Sequence, residues 1–136
     1  MGKFAATMSA VDYAKSIVAT TTFRRNVQRW WADGFDLLVT PTLAQLPLPI
    51  GSICNNPQSP MNPMRVAGEF VAFTTAYNVS GQPAISLPLH WTADCVPVGI
   101  QLVAAYGRED LLIAIAAQLE EAMPWRDRRP VTGDVA

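Results

Sequence analysis

The fold of this chain is decided by the stretch Phe73–Trp125, which reads FTTAYNVSGQPAISLPLHWTADCVPVGIQLVAAYGREDLLIAIAAQLEEAMPW. It begins with the end of a helix, because Gly81 is typical of a helix C-terminus and Pro83 prevents continuation. Two short apolar runs follow, over residues 84–89 and 97–105, and they predict buried strands joined by a short turn. A turn of this length is compatible with an antiparallel pair.

The closing helix is predicted to run from about Glu109 to Met123. Glu109 and Asp110 place negative charge in its first turn, which complements the helix dipole. Its apolar residues recur at helical spacing, which is typical of a helix that packs one stripe against a core. Pro124 then ends the helix.

Upstream of this stretch the sequence predicts a long helix and one more strand. The helix extends from Ser9 to about Ala32, with Ser9 as its N-cap and Asp12 completing an aspartate variant of the capping box. The run DLLVTPT, residues 36–42, is continuously apolar apart from its ends, which favours a strand buried on both faces. Because proline cannot donate to a central ladder, the strand is expected to finish at about Thr40.

A Pro-rich loop and another helix connect this strand to the deciding stretch. The loop spans residues 43–64, and two interpretations stay open: it covers a pocket or a partner surface, or it simply follows the surface. From Met64 to Val79 the apolar spacing is helical, which predicts a single helix. The element order as a whole predicts an α/β layered fold.

Composition points to a chain that is short of surface residues. Hydrophobic residues make up 50% and charged residues 15%, whereas a soluble domain typically carries about 25% charged residues. Either the chain is unusually buried, or part of its surface faces another chain or a further piece of its own domain, and we favour the second interpretation.

Charge and hydropathy also disfavour several classes of partner. The net charge is −1, so no basic field favours nucleic acid or an anionic membrane. No segment approaches the roughly 20 apolar residues of a membrane span. Cys54 and Cys95 lack metal-ligand spacing, and reduced thiols in a cytoplasmic protein are the expectation.

No complete catalytic set is found in the sequence. His90 is the only histidine, and it lies in a predicted turn beside Trp91. Lys15 adjoins Ser16, but neighbouring residues on a helix point apart, so they cannot form a Ser–Lys dyad. Nucleotide fingerprints and metal-ligand clusters are missing as well, so neither a cofactor nor a metal is expected.

From Phe73 onward the chain resembles the carboxy-terminal end of the amidase signature family, which includes general amidases and the glutamine-hydrolysing subunit of tRNA-dependent amidotransferases. DLLVTPT resembles a strand that precedes this region in the family. The residues that match the family's closing pattern are Phe73, Thr74, Asn78, Gly81, Pro83–Ser86, Pro88, Pro97–Val103, Glu109, Leu111 and Leu112.

The resemblance implies that residues 1–136 are the carboxy-terminal portion of an amidase domain rather than a complete domain. The implied fold is α/β, part of an α/β/α unit around a mixed central sheet. The implied reaction is hydrolysis of a small carboxylic amide through an acyl-serine intermediate. The family's two serines and its lysine base lie in an amino-terminal signature region that this chain lacks, so no catalytic residue is assigned here.

The resemblance also implies a substrate pocket, for which the expected residues are Phe70, Val71, Thr74 and Asn78. Glutamine-hydrolysing relatives carry an acidic residue where this chain has Val71, which favours a more apolar amide. The expected partner is an amino-terminal amidase region, on the same chain or on another. A non-catalytic module that docks to a separate amidase half or to a second copy of itself is the alternative, and a truncated reading frame without a role is a third.

Overall fold

The computed structural model describes residues 7–54 and 57–129. Within these ranges the elements follow one another as helix, strand, two helices, two strands and helix. In chain order they are α1 (Ala10–Ala32), β1 (Leu37–Pro41), α2 (Asn62–Phe70), α3 (Thr75–Ser80), β2 (Ala84–Trp91), β3 (Pro97–Ala104) and α4 (Glu109–Ala122).

The three strands form one sheet in the order β1-β3-β2, and both pairs are antiparallel. The antiparallel pairing of the last two strands is therefore confirmed. Their register shifts between Leu87 and His90, where Pro88 cannot donate to the ladder. The mixed sheet of the larger domain stays a prediction, because the strands described here are all antiparallel.

The prediction that β1 is buried on both faces is wrong for the described part of the chain. β1 pairs only with β3 and lies at an edge of the sheet, and Val39 is 59% exposed. An apolar run indicates that a strand is suited to burial, but it does not indicate which residues pack against that strand. The edge position also explains why Pro41 is tolerated inside the strand, opposite Ile100.

The two faces of the sheet differ in chemistry because successive side chains alternate between them. On one face α4 packs against the sheet, and the buried cluster there consists of Leu87, Leu102, Ala104 and Leu112. On the opposite face the cross-strand partners are polar, since Gln101 lies between Thr40 and Ser86. A polar sheet face beside helices is a natural place for a binding cleft.

Helix α3 and the connection that precedes it lie on the polar side of the sheet. Gln101 donates to the carbonyl of Phe73, which lies in the connection between α2 and α3. Arg24 on α1 donates from Nε to the carbonyl of Ser80 at 3.3 Å and so joins α1 to α3. With α4 on the other face, the described residues form the expected α/β arrangement, with helices on both sides of the sheet.

The single helix predicted over residues 64–79 is in fact two helices. α2 ends at Phe70 and α3 begins at Thr75. The hydroxyls of Thr74 and Thr75 both donate to the carbonyl of Val71, each at 3.1 Å. Such side-chain bonds compete with the helical backbone pattern, and here they accompany the break.

The prediction for α1 is confirmed, including its start. Ser9 caps the helix and forms the reciprocal capping box with Asp12. None of the residues of α1 is buried, and several large apolar side chains face outward, among them Val11, Ile17 and Val18. The shortage of charged residues is thus visible as apolar surface on this helix. No helix of the described residues is both long and apolar enough to cross a membrane.

Candidate functional site

A cleft of about 390 Å³ lies on the polar side of the sheet, between α3 and the strands. Its lining combines residues that carry hydroxyl or carboxamide groups with two apolar residues, and it includes no residue that is ionised at neutral pH. The lining residues are Thr42, Thr74, Tyr77, Asn78, Gln82, Ala84, Ile85, Ser86 and Gln101. The cleft therefore offers neutral hydrogen-bonding groups rather than charge.

Gln101 fixes the position of α3 over the sheet. The residue is 4% exposed, and its Nε2 donates to Thr40 Oγ1 and to the carbonyl of Phe73, at 3.1 Å each. Both amide protons are thus used, which is what a buried carboxamide requires. Because Phe73 directly precedes the part of the chain that carries Thr74 and Tyr77, this contact sets where the helical wall of the cleft stands.

The strand side of the cleft contains a close pair of hydroxyls. Thr42 Oγ1 and Ser86 Oγ are 2.6 Å apart, and the Thr42 backbone N–H donates to the carbonyl of Gly99 at 2.9 Å. A Cβ at position 99 would approach these two oxygens to 2.8 and 2.7 Å. The absence of a side chain at Gly99 therefore makes room for the pair.

Among the described residues, no base is bonded to the Thr42–Ser86 pair. A serine or threonine becomes nucleophilic when an adjacent base accepts its proton. In the described residues these two hydroxyls hydrogen-bond to each other, and neither is bonded to a histidine or lysine. His90 lies with Leu89 and Trp91 in a different depression of the surface, so it cannot serve this pair.

The helical side of the cleft ends in a sharp reversal at Gly81. This residue has φ of 83° and its N–H donates to the carbonyl of Tyr77 at 2.8 Å, a left-handed conformation that glycine adopts readily. The reversal returns the chain to the sheet at Gln82, directly before β2. Burial raises the pKa of the Tyr77 phenol above its ordinary value, so the hydroxyl is protonated at neutral pH.

The structure separates the four residues that the sequence predicted for the pocket. Thr74 and Asn78 line the cleft. Phe70 and Val71 are not among its lining residues. The Phe70 carbonyl accepts from the Ala44 N–H, and the Val71 backbone donates to the Ala67 carbonyl and accepts from threonine hydroxyls. All four remain predictions as substrate-binding residues.

Glu69, the acidic residue nearest to Val71 in sequence, does not line the cleft. It forms an exposed ion pair with Arg65 at 2.6 Å. The cleft therefore contains no acidic group that could hold a positively charged end of a substrate. Across residues 7–54 and 57–129, no group of three or more histidine, cysteine or acidic side chains is arranged to hold a metal ion.

Sequence reasoning missed the strand residues of the cleft and Gln82, which follows α3. Ser86 and Gln101 were assigned to strands as structure only, and Gln82 was given no role in a site. A signal for the first two was present, because Ser86 and Gln101 are polar residues on strands whose neighbours alternate with them as apolar. For Gln82 no local pattern exists, since its burial depends on the turn at Gly81.

The family model named Amidase matches residues 1–113. The chain belongs to the Amidase family. It is 48% identical over 109 residues to the 6-aminohexanoate-cyclic-dimer hydrolase of Paenarthrobacter ureafaciens, and the match covers 76% of this chain and 22% of the relative. The chain thus spans about a fifth of the length of that relative.

Solved structures agree with the family assignment. The structure of a 6-aminohexanoate cyclic dimer hydrolase complexed with substrate matches with a TM-score of 0.88 and 41% identity, over 95% of this chain and 28% of that one. A bacterial aryl acylamidase of the amidase signature family matches with a TM-score of 0.68 and 26% identity, over 95% of this chain and 28% of that one. The resemblance to the amidase signature family is confirmed.

Proposed function

We propose that residues 1–136 form the carboxy-terminal portion of an amidase domain and provide one wall of its substrate site. The observation that carries the proposal is the neutral polar cleft, which lies in a chain of the Amidase family that spans about a fifth of a relative named as a hydrolase. The residues that perform the chemistry belong to the amino-terminal amidase region outside this chain.

The proposed reaction is acyl transfer to a serine. The serine oxygen attacks the carbonyl carbon of the amide, the amine leaves with a proton, and water then hydrolyses the ester. Such chemistry needs a base next to the nucleophile and N–H donors for the developing oxyanion. It requires no cofactor. The Thr42–Ser86 pair has no such base among the described residues. This supports a chain that contributes to the substrate site but does not supply the nucleophile.

The proposed substrate is a small, uncharged carboxylic amide. Hydroxyls and carboxamides in the cleft can donate to an amide oxygen and accept from an amide nitrogen, whereas no charged side chain lines it. Glu69 lies in an exposed ion pair, and Val71 is not among the lining residues. The cleft therefore lacks an acidic group for the charged end of glutamine, which agrees with a preference for an uncharged amide. The relative with 48% identity is named for a 6-aminohexanoate cyclic dimer, which makes that compound the first substrate to test.

The test is a chimeric hydrolase in which this chain replaces the matched segment of the Paenarthrobacter ureafaciens enzyme. We expect the chimera to hydrolyse the cyclic dimer and to lose this activity on treatment with a serine-directed inhibitor. We expect the chain alone to show no hydrolysis above buffer. Turnover by the isolated chain that responds to the same inhibitor, or a folded chimera without activity, would contradict the proposal.

A second candidate function is a non-catalytic module that docks to a separate amidase half or to a second copy of itself. It is favoured by the apolar surface of α1 and by the open edge of β1, where Val39 is 59% exposed. Sedimentation of the chain alone, and mixed with an amino-terminal amidase region, separates the cases. A stable, monodisperse monomer whose sedimentation does not change when the amino-terminal region is added would exclude docking.

The proposed location is the cytoplasm. Both cysteines, Cys54 and Cys95, are free and exposed, and thiols of this kind persist where the compartment is reducing. Fractionation of cells that express the chain with its native flanking sequence would test this. Recovery from an oxidising compartment would contradict it.

A further inference from the structure

Gln82 is a buried carboxamide without a hydrogen-bond partner. The residue is 6% exposed, and neither Nε2 nor Oε1 has a partner among the described residues or any appreciable contact with solvent. Yet Gln82 is one of the residues that line the polar cleft. Gln101, the other buried glutamine of the cleft, shows the ordinary situation, because both of its amide protons are bonded.

An orphaned buried amide destabilises a folded chain. Leaving a buried donor or acceptor unsatisfied costs about 1–3 kcal/mol, whereas an apolar group of the same shape can be neutral or stabilising. Gln82 presents two such groups at once, one donor and one acceptor. Packing alone therefore favours a methionine or leucine at this position, and the glutamine calls for a partner that the described residues do not supply.

We propose that Gln82 is a specificity-determining residue that binds the amide group of the substrate, an inference that rests on the proposed function. A carboxamide can pair with a second amide through two hydrogen bonds, with Nε2 donating to the substrate oxygen and Oε1 accepting from the substrate N–H. Binding in this way requires the Gln82 side chain to reorient so that its amide faces the cleft, and the broad terminal torsion of glutamine allows its nitrogen and oxygen to turn.

The neighbouring groups are suited to the same ligand. Tyr77 and Asn78 line the cleft beside Gln82, and neither side chain has a hydrogen bond in the described structure. The phenol of Tyr77 is protonated and therefore able to donate. Three neutral polar side chains at one cleft select for an uncharged amide over a carboxylate or an ammonium, because an ion would lose its water without gaining an opposite charge.

The decisive variant is Gln82→Met in the chimeric hydrolase, with Ser80→Ala as the matched control. Ser80 is also fully buried, and its Oγ is also without a partner in the described residues, but it does not line the cleft. The dissociation constant of the 6-aminohexanoate cyclic dimer is measured by calorimetry, and the thermal midpoint by fluorescence. Because binding is measured directly, the inference is tested whether or not the chimera turns the dimer over.

For Gln82→Met we expect the dissociation constant to rise about tenfold or more, because two neutral hydrogen bonds to the substrate are lost. The midpoint of thermal unfolding should stay level or rise. For Ser80→Ala we expect unchanged binding and a level or higher midpoint. If the chimera is active, KM should rise in Gln82→Met with little change in kcat.

Three results would overturn the inference. A lower midpoint with unchanged binding would show that Gln82 is satisfied by the rest of the amidase polypeptide. Equal weakening of binding by Ser80→Ala would show a general packing effect. A chimera that hydrolyses the dimer with the same KM whether residue 82 is glutamine or methionine would refute the role of Gln82 while leaving the proposed function intact. An inactive chimera whose binding of the dimer is still weakened by Gln82→Met would contradict the proposed function while supporting the role of Gln82.

Discussion

Replacing Gly99 by alanine probes the geometry of the cleft most sharply. A Cβ at this position would lie 2.7 Å from Ser86 Oγ, 2.8 Å from Thr42 Oγ1 and 3.1 Å from Thr42 Cβ. Distances of 2.7–2.8 Å are too short for carbon against oxygen, so the hydroxyl pair must separate or the strands must move. The variant therefore acts on the wall of the cleft and on the sheet together.

The expected loss follows from three contributions. Overpacking a well-packed site costs roughly 1–3 kcal/mol, and breaking the Thr42–Ser86 hydrogen bond costs about 0.5–1.5 kcal/mol. Alanine offsets about 0.5–1 kcal/mol of this, because glycine is entropically unfavourable in a strand. We expect Gly99→Ala to lower the free energy of unfolding by about 0.5–4 kcal/mol.

The assay is urea unfolding of the chimeric hydrolase, followed by tryptophan fluorescence, with Gly68→Ala as control. Gly68 lies in α2, and a Cβ there would meet nothing within 4 Å, so alanine should raise stability by up to about 1 kcal/mol. Adding Ser86→Ala to Gly99→Ala should recover part of the loss, because the shortest contact disappears. Equal stability of the Gly99→Ala variant and the parent would refute the account of this wall.

Three further predictions concern the supports of the cleft and of α1. Gln101→Met should raise KM of the chimera and lower its stability. Thr40→Val leaves the bond from Gln101 to the Phe73 carbonyl intact and should lower stability alone. Equal KM in both variants would contradict a positioning role for Gln101. Ser9→Ala should destabilise by about 0.5–2 kcal/mol through loss of the N-cap, as seen by urea unfolding. The hydrogen bond from the Ser9 hydroxyl to the Asp12 carboxylate lowers the pKa of Asp12. That part of the stabilisation is present above the ordinary aspartate pKa of about 3.9 and fades as pH falls through the lowered value, whereas the cap bond from the Asp12 N–H does not titrate. The cost of Ser9→Ala should therefore shrink in acid without vanishing, and a pH series in which it is the same in acid as at neutral pH would disagree. Arg24→Ala should loosen α3, which hydrogen exchange of residues 75–80 would report as faster exchange, and unchanged exchange would count against the Arg24–Ser80 contact.

Much of the fold could be predicted from sequence because its signals are local. The capping box at Ser9, the acidic first turn at Glu109 and the apolar runs of β2 and β3 each determine their element within a few residues. The break at Val71 was missed because threonine hydroxyls capture its carbonyl, a contact that apolar periodicity does not record.

The site was less predictable because it depends on register. Thr74 and Asn78 were placed near the cleft through resemblance, but Ser86 and Gln101 reach it only because β2 and β3 pair in one particular register. Gln82 depends on the left-handed turn at Gly81. The burial of β1 was mispredicted for a different reason, since an apolar run does not reveal that the strand pairs on one side only and lies at the edge of the sheet.

The central claim is that the polar cleft forms part of the wall that contacts an amide substrate. The most direct measurement is a crystal structure of the chimeric hydrolase with the 6-aminohexanoate cyclic dimer bound. The account predicts substrate atoms within about 4 Å of Gln82 and of at least one of Thr74, Tyr77 and Asn78. A substrate bound elsewhere, with the cleft filled by polypeptide, would contradict it.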